Sequence, residues 1–162
     1  MRFANLNLLN LTLLLLGFFG WGQWILGLQA LETPVVPEVT AGQIRNLQGE
    51  REFEDRFVMV DVRSKEEMDV SMMPGAITKA EFEENSTLHQ GKSVIVYCTI
   101  GVRSGNYAST LNRKGWKAWN YKGSILDWCK NSLPLTIDGE KTNRVHTYNR
   151  RYSAPENYIA VR

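Results

Sequence analysis

Val94-Ile95-Val96-Tyr97-Cys98-Thr99-Ile100-Gly101-Val102-Arg103-Ser104 carries a β-branched apolar run straight into a cysteine, a glycine-containing turn and a segment of helical composition. A buried strand is expected over the apolar run. It delivers the sulfur of Cys98 to a tight turn, where Gly101 relieves backbone strain. The helix that follows points its unpaired N–H groups and its positive end back at that sulfur. Such surroundings lower a thiol pKa, and the thiolate is the reactive form. Arg103 falls in the first turn of this helix, where a cation opposes the dipole and calls for an anionic partner.

Working outward, residues 57–62 form a second apolar run and 116–121 a third, each short enough for a strand. Thr40 is placed to cap a helix over 41–48 with Ile44 and Leu47 on one face. Ser64 and Glu67 have the spacing of a capping box that starts a short helix toward Val70. Residues 73–77, Met-Pro-Gly-Ala-Ile, read as a turn, and 79–85 as another helix. A helix over 104–114 presents Tyr107, Ala108 and Leu111 inward and stops at Gly115. Lys122-Gly123 is a turn, and 124–130 a last helix carrying Ile125 and Trp128. Strands alternating with helices imply β-α-β units, hence an α/β fold whose parallel sheet is covered on both faces. The Cys98 loop then lies at the carboxyl ends of the strands, where such sheets place ligands.

The chain has 162 residues, enough for one well-buried domain and an appendage. Its 19 basic and 17 acidic residues are interspersed, leaving no basic stripe for a nucleic-acid backbone. Two cysteines, Cys98 and Cys129, are too few for a disulfide scaffold or a structural zinc site. Cys129 follows Trp128 within an amphipathic helix and reads as core. His89 and His146 stand alone, so no metal or organic cofactor is expected. Residues 1–32 make an N-terminal hydrophobic segment: between 3 and 31 there is no charge, a length able to span a bilayer as an uncleaved transmembrane or signal-anchor helix. Arg2 before it and the lack of Lys or Arg over 32–44 place the remaining chain on the non-cytoplasmic side. Residues 33–37 are a stiff Pro-rich linker, 38–133 the folded domain, and 134–162 a polar tail packed across its surface.

Three segments in order resemble the rhodanese homology domain: Val60-Asp61-Val62-Arg63-Ser64 with Glu67, Met73-Pro74-Gly75-Ala76-Ile77, and Val96 through Ser104, continuing through Ala108, Leu111, Gly115-Trp116, Gly123 and Trp128. The likeness covers roughly 38–133. Before Pro74 this chain has Met72 and Met73 in place of the family's frequent histidine and isoleucine, and Lys122-Gly123 replaces a usual gly-gly. The resemblance implies a three-layer α/β/α domain with a central parallel sheet and a sulfurtransferase in which Cys98 becomes a persulfide. It implies that Thr99, Ile100, Gly101, Val102, Arg103 and Ser104 cradle the substrate, and that Asp61 and Arg63 support the loop. Partners would be a small sulfur-donor anion such as thiosulfate and a thiol or cyanide acceptor. Four residues separate Cys98 from Arg103; relatives acting as phosphatases or arsenate reductases have one more, so those activities are disfavoured. The remaining alternative is a non-catalytic binding or regulatory module at a membrane.

Overall fold

A computed structural model describes residues 35–162. The expected membrane segment at 3–31 lies outside the described residues, and no described helix is long and apolar enough to cross a membrane. The strands expected from the sequence form β2 (Phe57–Asp61), β4 (Ser93–Tyr97) and β5 (Lys117–Tyr121), the inner strands of a sheet completed at its edges by β1 (Glu38–Val39) and β3 (Ala76–Thr78). The order is β1-β5-β4-β2-β3, and every pairing is parallel.

Strand alternation sorts the core onto two faces. Met59, Ile95, Tyr97 and Tyr121 meet Ile44 of α1 (Ala41–Gln48) and Ile125 and Trp128 of the helix at Ser124–Lys130. On the other face Val60, Val94, Val96 and Ala118 meet Phe82 of the helix at Lys79–Glu84 and Ala108 and Leu111 of the helix at Val102–Arg113. This is the three-layer arrangement expected. With the short helices at Phe53–Arg56 and Lys65–Met68, the six α-helices among the described residues are α1 to α6 in chain order. Thr40, Ser64 and Thr78 each close a capping box, with Gln43, Glu67 and Glu81.

Two expectations are corrected and a third is refined. The 73–77 turn ends at Gly75, whose φ is +73°, and Ala76-Ile77-Thr78 continues as edge strand β3 paired with β2; its β-branched residues suit a pleated edge. Helix α5 begins at Val102, two residues earlier than expected, because Gly101 at φ +91° turns the chain directly into it. Tyr107 packs against this core as expected but stays half-buried, its hydroxyl donating to Glu83 Oε1 at 3.0 Å, so the fully buried part of the α5 stripe is Ser104, Ala108 and Leu111.

The 134–162 segment does more than cover the surface. It forms the antiparallel pair β6 (Leu135–Ile137) and β7 (Glu140–Thr142) and the parallel pair β8 (Arg144–His146) and β9 (Ile159–Val161). Leu135 and Val145 are fully buried in the α1/α6 core, and the Tyr158 hydroxyl donates to the Leu133 carbonyl. Polar composition concealed this, because the buried residues are few and scattered among charged neighbours.

Candidate active site

Cys98 stands immediately beyond β4, level with the end of β2, where Asp61 pairs in register with Tyr97. It is 1% exposed. Its Sγ accepts the Gly101 N–H at 3.1 Å and has the Ser104 hydroxyl at 3.5 Å and the Ser124 hydroxyl at 3.8 Å. Burial by itself raises the thiol pKa, but the Ser104 hydroxyl and the N–H groups of Ser104, Ile100 and Gly101 outweigh it, leaving the thiol below its ordinary value. The nest of N–H groups at the start of α5 thus favours the thiolate form of the sulfur.

The loop is held from below by the turn that follows β5. A Cβ on Gly101 would lie 2.1 Å from the Lys122 carbonyl oxygen, so only glycine fits there. Ser124, at φ +54°, accepts the Cys98 N–H at 3.0 Å and donates to the Tyr121 carbonyl at 2.8 Å. Asn120 Nδ2 donates to the Gly101 carbonyl at 3.2 Å, while its Oδ1 accepts from the Ser104 hydroxyl at 2.7 Å. Neither Ser124 nor Asn120 stood out in the sequence. Asn120 had a signal, since it alternates with buried Ala118 and is itself buried; Ser124 had none.

Arg103 has an anionic partner inside the protein. Its Nη1 and Nη2 donate to the two Glu67 carboxylate oxygens at 2.6 and 2.8 Å, and Nη2 also reaches Thr99 Oγ1 at 2.8 Å. Thr99 in turn donates to Glu67 Oε1 at 2.6 Å. Burial opposes the charge on Glu67, yet Arg103, Thr99 and the Ser64 N–H together bring its pKa down to about 2. Glu67 was read in the sequence as the capping residue of α3 and as part of the first family-like segment, with no tie to Arg103; it serves both purposes, accepting the Ser64 N–H at 3.0 Å. The outer face of the Arg103 guanidinium lies 5.1 Å from the centroid of the Tyr148 ring, a contact from the tail that local sequence could not reveal.

Asp61 and Arg63 form a pair with no exposed side-chain surface, joined through Nε at 3.0 Å and Nη2 at 2.7 Å. Arg63 also donates to the Ser71 carbonyl and lies over the Tyr97 ring at 5.9 Å. Tyr97 in turn accepts the Met73 N–H at 3.1 Å. The pair thus braces the end of β4 and the 71–73 segment and does not touch the sulfur. Val102 points to solvent, 62% exposed. Cys129 is a free buried thiol, pushed by burial up to about 12. Among the described residues no cluster of three His, Cys, Asp or Glu could hold a metal ion.

This geometry supplies an activated sulfur nucleophile with N–H groups converging on the charge it would bear. Residues 40–131 match the family described as Rhodanese-like domain. A putative sulfurtransferase of Bacillus subtilis is 31% identical over 80 residues, covering 48% of this chain and 78% of that protein. A sulfurtransferase of Allochromatium vinosum is 27% identical, covering 48% and 77%. A tRNA sulfurtransferase of Desulfurococcus amylolyticus is 38% identical over 68 residues, but the match spans only 14% of that protein. Among solved structures, a rhodanese-like domain protein from Staphylococcus aureus superposes with a TM-score of 0.54 at 23% identity, over 64% of this chain and 99% of the other. At that identity the likeness concerns the fold.

Proposed function

The chain belongs to the rhodanese-like family, and from that premise we propose that it is a sulfurtransferase carrying sulfane sulfur as a persulfide on Cys98. The observation that carries this reading is the convergence of the Gly101 N–H at 3.1 Å and the Ser104 hydroxyl at 3.5 Å on the Cys98 sulfur, surroundings that lower its thiol pKa. In the first half-reaction the Cys98 thiolate attacks the outer sulfur of a donor such as thiosulfate; the S–S bond breaks, sulfite leaves with the bonding pair, and Cys98 keeps the sulfur. The N–H groups that stabilise the thiolate suit the persulfide anion that replaces it. A thiol or cyanide then attacks that terminal sulfur and restores the thiolate, which is covalent catalysis in two steps with ping-pong kinetics. Thr99, Ile100, Gly101 and Ser104 form the cradle, and Asp61 and Arg63 brace its base.

The test is mass spectrometry of the full-length protein after incubation with thiosulfate, polysulfide or an alkyl persulfide. A gain of one sulfur atom on Cys98, lost on adding cyanide with formation of thiocyanate and absent in Cys98→Ser, supports the enzyme. No gain with any of these donors favours a non-catalytic binding module, the reading against which the intact thiolate nest argues. The uncharged run at 3–31 supports tethering to a bilayer with the domain on the non-cytoplasmic side. A C-terminal reporter active on only one side of the membrane checks that placement.

A further inference from the structure

The Cys98 loop has cations around it, but each is matched by a carboxylate. Arg103 is held by Glu67, Arg63 by Asp61 at 2.7 Å, and Lys122, whose carbonyl abuts Gly101, by Glu38 at 3.0 Å. With Cys98 ionised, these groups and the sulfur sum to one negative charge. The start of α5 offsets this by roughly half an elementary charge. That suffices to stabilise a thiolate or a persulfide. It does not suffice to draw a dianion onto a thiolate, an encounter of like charges whose cost grows as water is excluded.

Tyr148 strengthens the effect. The guanidinium carbon of Arg103 lies over its ring, 5.1 Å from the centroid, and Tyr148 comes from the tail, beyond the 40–131 family match. The residue is 56% exposed and held at φ +66°, an unfavourable conformation for an aromatic residue. Local hydrogen bonds impose it: the Tyr148 N–H donates to His146 Nδ1 at 3.1 Å, and Thr147 is fixed by its N–H to the Val161 carbonyl at 3.0 Å. A strained backbone that presents an exposed aromatic ring to the active-site arginine is a feature to explain by function. Arg150 and Arg151 follow on the same turn, but both are exposed, and in water at physiological salt their charges are screened within about 8 Å.

We propose that Glu67 and Tyr148 set the donor specificity of the Cys98 loop, selecting a small alkyl persulfide over dianionic donors such as thiosulfate. The assignment rests on the sulfurtransferase reading and narrows it. The thiolate attacks the outer sulfur of R–S–SH, the donor S–S bond breaks, and R–S⁻ leaves with the bonding pair. The transferred sulfur keeps its proton, so Cys98–S–SH forms with no external oxidant or reductant.

The experiment is the rate of sulfur loading on Cys98 of the full-length protein, followed by mass spectrometry with cysteine persulfide and with thiosulfate as separate donors. Cysteine persulfide loads at least about ten-fold faster, and the thiosulfate rate rises with added salt, because screening relieves repulsion. In Glu67→Gln, which keeps a capping side chain and removes the carboxylate charge, the thiosulfate-to-persulfide rate ratio rises by about ten-fold. In Tyr148→Ala the KM for thiosulfate falls by about two- to five-fold, the scale of one exposed cation–π contact, while Tyr148→Phe keeps the wild-type ratio. Should Glu67→Gln fail to fold, the Tyr148 pair and the salt dependence decide. Thiosulfate loading that equals persulfide loading and slows with salt overturns the donor assignment and leaves the sulfurtransferase standing. If neither donor loads, both fall together.

Discussion

Ser104 has one hydroxyl proton and two acceptors within reach, Asn120 Oδ1 at 2.7 Å and Cys98 Sγ at 3.5 Å. With the thiol protonated, the shorter contact takes the proton, and the Ser104 oxygen is free to accept from the S–H. Once the sulfur is ionised, turning the hydroxyl toward it becomes favourable, because a hydrogen bond to a charged acceptor is roughly twice as strong as a neutral one. The hydroxyl thus favours the charged form of Cys98, as the lowered thiol pKa requires. In Ser104→Ala the pH midpoint of iodoacetamide alkylation at Cys98 moves up toward the ordinary thiol value, and the rate at neutral pH drops by about two- to ten-fold, the scale of one hydrogen bond. An unmoved midpoint would leave the N–H groups as the whole cause. Arg103 is held chiefly by Glu67, and its residual attraction to the Cys98 sulfur adds to the effect of this hydroxyl.

Two βα turns meet at the site, and each is shaped by the other. The β4–α5 turn could be placed from sequence, since a β-branched run, a cysteine and a glycine in succession leave little choice. Its partner, the β5–α6 turn, looked like an ordinary Lys-Gly reversal, yet its Lys122 carbonyl occupies the space a side chain at 101 would need. Gly101→Ala therefore combines a backbone clash with an unfavourable φ of +91°, the kind of conformation that costs about 1–3 kcal/mol before the clash is counted. A lowered thermal midpoint and loss of sulfur loading are the expected outcomes. Retained loading at wild-type stability would show that the 122–123 segment moves aside. Edge strand β3 was missed for a different reason. Three residues after Pro74-Gly75 are too few for a period to show, and pairing with β2 is what makes them a strand.

Across the whole molecule, the tail and the domain share one core. Leu135 and Val145 are fully buried beside Trp128 and Cys129, and Met72 and Thr136 exchange backbone hydrogen bonds at 2.8 and 2.9 Å. Leu135→Ala should cost about 2–5 kcal/mol, as for a core leucine anywhere, read as a shift in the chemical denaturation midpoint. A loss below about 1 kcal/mol would mean that the tail only coats a finished domain. By itself the sequence determined the order of the three long strands and the main helices between them, the parallel α/β class, the position of Cys98 at a strand end and the need for glycine in its loop. These are local matters, set by side-chain periodicity and backbone sterics over a few residues. Only the tertiary structure decided that Glu67 neutralises Arg103, that Ser124 and Asn120 hold the Cys98 loop, and that Tyr148 covers its arginine. Those pairings join residues 16 to 45 positions apart, and a charge or a hydroxyl acquires its role only when folding brings its partner within hydrogen-bonding or stacking distance.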